Sequence, residues 1–129
     1  MPLHPEALLC RRQMEVCLKR FSVNWNYVID YSSRDGKSNA NRAETVNRML
    51  SEATQNLNQA IQHFKLLLGS AAVSHSDIKW VWEHGLKPTF QTVLGSKAKI
   101  VVQEENKAKF DELVSLCSAR LNFRIRQLE

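Results

Sequence analysis

Glycine and proline are scarce in this chain, with 4 Gly and 3 Pro among 129 residues. Sandwiches and barrels need a tight turn every few residues, so the scarcity argues against an all-β fold. No uncharged apolar run approaches the ~20 residues that a membrane span requires, and no membrane contact is expected. The cysteines Cys10, Cys17 and Cys117 are odd in number and have no close pair, so they suggest no disulfide framework. Asn-x-Ser/Thr does not occur. Met1 to Pro5 do not follow the basic-then-apolar order of a secretory signal. The expected location is therefore a reducing interior, cytoplasmic or nuclear.

Catalytic and metal-binding patterns are equally thin. Gly36-Lys37-Ser38 matches the end of a phosphate loop, but the position needing the first glycine holds Tyr31. No strand pattern precedes it, so the backbone nest for phosphate cannot form. There is no C-x-x-C, no H-x-x-x-H, no Glu-x-x-His and no G-x-S-x-G. Cys17 and Cys117 fall on apolar helix faces, where thiols are usually inert. The sequence therefore predicts no enzyme activity, no catalytic residues, no metal, no cofactor and no small-molecule substrate.

What is present fits one helical domain spanning residues 1–129. Hydrophobic residues make up 43% and charged residues 24%, enough to bury a core. Four long helices can be read from apolar spacing. The first runs from about Glu6 to Tyr31 on a stripe of Cys10, Met14, Cys17, Phe21, Trp25 and Val28. A mobile loop is expected over about residues 32–41.

The second helix runs from about Arg42 to Leu68, with Asn41 as candidate cap. Its stripe is Ala43, Val46, Leu50, Ala53, Leu57, Ile61, Phe64 and Leu68. Its other face, with Asn47, Gln55, Asn56, Asn58, Gln59 and Gln62, is polar but nearly uncharged. The third begins near Ser76, capped by Ser74 or Ser76. It is kinked or broken between Gly85 and Pro88, because proline removes a backbone donor and crowds the preceding turn. The fourth runs from about Lys97 to Leu128 on Phe110, Val114, Cys117, Leu121, Ile125 and Leu128. Helices joined by short loops predict an all-α, antiparallel up-down-up-down four-helix bundle.

Two helices carry a second apolar stripe. At about 100° per residue, Leu9, Val16, Val23 and Tyr27 share a line well away from the core stripe of the first helix. Leu116 and Phe123 do the same on the last. A helix that only faces the inside of a bundle needs one stripe. The second stripes predict a contact surface for another protein or a second copy, with a two-fold homodimer the commonest form. On the third helix Trp80 shares a face with His84 and Lys87, and an exposed Trp there would be a binding hot spot.

Charge supports a second reading. The net charge is +5, spread along the chain rather than gathered in a tail. Arg11, Arg12, Lys19 and Arg20 ride on the first helix and Arg120, Arg124 and Arg126 on the last. Two such faces could follow an RNA or DNA backbone through phosphate contacts, with little sequence preference. Acidic residues interleaved with them argue for an ordinary solvated surface instead.

Overall fold

The computed structural model describes residues 3–33, 40–96 and 104–128. It is an all-α four-helix bundle, with nine-tenths of the described residues helical and no strand among them. The helices are α1 (Pro5–Ser33), α2 (Ala40–Leu68), α3 (His75–His84), α4 (Leu86–Leu94) and α5 (Glu104–Leu128). Pro5 opens α1, where a missing N–H costs nothing because first-turn donors have no intrahelical partner.

Both ends of the loop expected over residues 32–41 are helical, because α1 continues through Ser33 and α2 begins at Ala40. Asn41 is therefore inside α2 rather than its cap. The remainder of that loop, and the stretch of the last helix read from Lys97 to Val102, lie outside the described residues.

Segments α3 and α4 form the expected third helix, bent by 37°. Ser74 caps α3, its hydroxyl accepting from the Asp77 N–H at 3.3 Å. The break falls at Gly85, which ends α3 and precedes α4. A Cβ there would lie 2.7 Å from Met14 Cε and 2.7 Å from the Val81 carbonyl oxygen. The Met14 tip could move aside, but the Val81 carbonyl belongs to the backbone of α3, so the turn itself has no room for a side chain here. Pro88 then falls in the first turn of α4, where its missing donor is harmless.

Contacts fix the course of the chain. The Cys10 thiol donates to the His63 carbonyl and the Cys17 thiol to Gln59 Oε1, so α1 and α2 run antiparallel. The His4 N–H donates to Asp77 at the start of α3, and Ser70 Oγ donates to Glu6. Trp25 shares a pocket with Val93 and Leu94 at the far end of α4. The α3–α4 pair thus retraces the direction of α1. Near that far end, Phe110 of α5 stacks on Trp25 at 5.0 Å and Asn106 donates to Asn47 of α2 at 3.4 Å. Buried Leu121 and Ile125 carry α5 back along the bundle.

The expected core stripes are inside for the most part, although on α5 Cys117 is half-buried and Leu128, at the helix end, is exposed. All six positions of the first helix, from Cys10 to Val28, are buried, as are Val46, Leu50, Ala53, Leu57, Ile61 and Phe64 of α2. Ala43 is exposed and Leu68 half-buried, the outer limits of that stripe. Phe21, Trp25 and Phe110 form one aromatic stack, and Phe64, Trp82 and Phe90 form a second cluster with tilted rings. No residue of the described core is polar or charged.

Candidate functional site

A helix places residues three or four apart on one side, so two stripes on one helix face two directions. On α1 the core stripe fills the bundle and the second stripe is left outside. Leu9, Val16, Val23 and Tyr27 are all exposed, with Val23 56% accessible. On α5, Leu116 is exposed and Phe123 is 62% accessible. The Tyr27 ring stacks on Tyr31 at 5.9 Å, which holds one end of the α1 stripe in place.

The two stripes flank α2. Val23 shares a groove with Lys19, Arg20, Asn24, Glu52 and Asn56 between α1 and α2. Toward the other end, Leu9 shares a second groove with Gln13, His63 and Leu66. On α5, Asn106 turns toward α2 through its bond to Asn47. Leu116 and Phe123 lie roughly 90° round from that side, away from the buried Phe110 line. The α1 stripe therefore borders α2 directly, whereas Leu116 and Phe123 lie about a quarter-turn from the side of α5 that meets α2.

Sequence reading missed Leu66 beside the α1 stripe, although it is the most exposed large hydrophobic residue described. The signal was the run Leu66-Leu67-Leu68. Consecutive helical residues diverge by about 100°, so three in a row cannot all face one core. Here Leu67 is buried and Leu66 is pushed outward.

Trp80 is elsewhere, on the α1–α3 side, and at 37% accessible it is only marginally exposed. Its ring stacks on His84 at 4.4 Å, and the Arg11 guanidinium lies 6.0 Å from its centroid on α1. His84 Nδ1 is 2.9 Å from the Trp80 carbonyl oxygen, closing the turn. Lys87, read as sharing this face, is half-buried beyond the break at Gly85.

The basic residues divide between directions. Arg11 is half-buried and turned to Trp80. Arg12, Lys19 and Arg20 are exposed, and Lys19 pairs with Glu15 at 3.6 Å. Arg120, Arg124 and Arg126 are exposed on α5. At about 100° per residue, Arg126 points well away from Arg120 and Arg124.

The thiols and histidines show no reactive arrangement. Burial pushes the Cys10 thiol up from 9.0 to about 11, so it stays protonated at neutral pH. Its single S–H has two acceptors within reach, the His63 carbonyl at 3.4 Å and Met14 Sδ at 3.5 Å. Cys17 is also buried and Cys117 half-buried. Among the described residues, no group of three His, Cys, Asp or Glu side chains gathers where one metal ion could bind them. No helix among them is long and apolar enough to cross a membrane. Comparison with protein-family models, with curated proteins and with solved structures returns no match for this chain.

Proposed function

We propose that the chain is a non-catalytic interaction module whose outer α1 and α5 stripes are covered by another protein surface. The observation that carries this reading is the second stripe itself. Leu9, Val16, Val23 and Tyr27 on α1, and Leu116 and Phe123 on α5, are all exposed on a bundle whose core is already filled. Scattered exposed apolar residues are ordinary, but a line of them along a helix points to a contact surface. Tyr27 and Phe123 are the aromatic anchors such a surface would use.

Replacing Val23 and Phe123 together by serine tests the reading. It predicts a changed sedimentation coefficient, a higher solubility limit, or both. If neither moves, the stripe is ordinary surface and the reading fails.

Nucleic-acid binding is the second reading, favoured by the exposure of Arg12, Lys19, Arg20, Arg120, Arg124 and Arg126. It predicts anisotropy of labelled RNA and DNA duplexes that rises with protein and falls steeply with salt. An unchanged signal at low salt, where phosphate contacts are strongest, would remove it. The division of the arginines between directions, with Glu15 among those of α1, makes it the weaker of the two.

A further inference from the structure

Resting on the nucleic-acid reading above, we propose that the C-terminal halves of α2 and α5 together bind a single strand of RNA or DNA. Lys65, Arg120 and Arg124 hold its phosphates, and the exposed Phe123 ring stacks on a base. The site is smaller than the two arginine faces of that reading and leaves out α1.

The register of the two helices carries the argument. Both α2 and α5 run opposite to α1, so they are parallel to each other. The Asn106–Asn47 bond fixes their relative height and marks the side that each turns to the other. Lys65 is eighteen residues beyond Asn47, and Arg124 is eighteen beyond Asn106. That spacing is about five full helical turns. Lys65 and Arg124 therefore lie on the facing sides of α2 and α5 at one height, with Arg120 about one turn above. All three are exposed.

Charge is segregated along this seam. From Ala53 to Leu68 and from Leu113 to Leu128 neither helix has an Asp or Glu, while the two stretches carry Lys65, Arg120, Arg124 and Arg126. The carboxylates of α2 and α5, from Glu44 and Glu52 to Glu104, Glu105, Asp111 and Glu112, all lie in the other halves. In the register above, the two acid-free stretches run side by side. The carboxylates near this end on α1 and α3 have partners of their own. Glu6 accepts from Ser70, Glu15 pairs with Arg11 and Lys19, and Asp77 accepts from the His4 N–H. Cations that face one another with no carboxylate between them repel, and a bound anion removes that cost.

Two further features favour a single strand. Asn58 and Gln62 precede Lys65 on the exposed surface of α2, with Gln62 Nε2 donating to Asn58 Oδ1 at 3.5 Å. Amides both donate and accept, as base edges do. Phe123 is 62% accessible, adjoins Arg124 and lies one turn from Arg120. Cations for the backbone beside a ring for a base is the arrangement that binds single strands. A duplex keeps its bases stacked inside and offers none to Phe123. An acidic peptide would use the cations and leave the ring and the amides idle.

Fluorescence anisotropy of the full chain with a labelled single-stranded RNA of about twelve nucleotides tests this. Three phosphate contacts predict a log–log salt slope of about −2, so affinity falls roughly twentyfold between about 50 and 200 mM salt. Lys65→Gln with Arg124→Gln should weaken binding at least about tenfold and bring the slope to about −0.7. Phe123→Ala should weaken it about fivefold or more and leave the slope unchanged. Arg12→Gln with Lys19→Gln, on α1, should change neither. Circular dichroism checks that every variant is folded. Absence of strand binding at low salt overturns the proposal, as does displacement of the strand by poly-glutamate as readily as by unlabelled RNA. Binding of strand or duplex that is lost with Arg12 and Lys19 rather than with Lys65 and Arg124 overturns this site and leaves the nucleic-acid reading standing, so the two failures are distinguishable.

Discussion

The two apolar stripes of α1 use similar residues at similar spacing and end in opposite surroundings. Met14 and Val28 on the inner line are fully enclosed, whereas Val16 and Val23 on the outer line are exposed. The inner line meets large partners: Phe110 stacks on Phe21 and Trp25, and Met14 lies against Gly85. The outer line adjoins α2, which offers it Glu52, Asn56, His63 and Leu66 and no large ring. Periodicity thus says which residues share a side. Whether this chain covers that side depends on what the other helices bring to it.

The comparison breaks most sharply at the aromatic centre. Phe110→Ala should lower the unfolding free energy by about 3–5 kcal/mol, because its ring touches two others and leaves a cavity. Urea denaturation followed by circular dichroism measures this. Gly85→Ala should cost about 1–3 kcal/mol by overpacking. The methyl group meets a backbone carbonyl as well as the movable end of Met14. A neutral result in the same assay would mean that the Met14 tip and the α3 turn at Gly85 yield at little cost.

Cys10 gives a smaller, pH-dependent effect on the inner line. Its folded value of about 11 exceeds the ordinary 9.0, because burial penalises the thiolate. Its stabilising contribution is therefore complete below pH 9.0 and lost as pH rises toward about 11. The urea midpoint should fall across that window more in wild type than in Cys10→Ala. Smallest of all, Val23→Ser on the outer line should change the stability of the dilute protein by no more than about 0.5 kcal/mol. Loss of several kcal/mol there would mean that Val23 belongs to the core.

Much of the fold could be read from the sequence because burial in a bundle follows helical spacing. The line from Cys10 to Val28, the Ser74 cap and the break near Gly85 and Pro88 each follow from a local rule. The outer stripes were visible for the same reason. Three-dimensional neighbours were not. Arg11 and Arg12 adjoin in sequence, yet about 100° of helical rotation turns Arg11 onto Trp80 while Arg12 stays in solvent. That α2 lies between the two outer stripes depends on long-range contacts such as Asn106 to Asn47, which no spacing rule predicts.

The most direct measurement is hydroxyl-radical footprinting of wild type across a range of concentrations, read by mass spectrometry. Leu94 is the internal control, because it is 57% accessible but lies on α4, away from the proposed surface. The account predicts that oxidation of Tyr27 and Phe123 falls as concentration rises while that of Leu94 stays level. Equal oxidation of all three at every concentration, or protection of Leu94 instead, would contradict self-association through the outer α1 and α5 stripes.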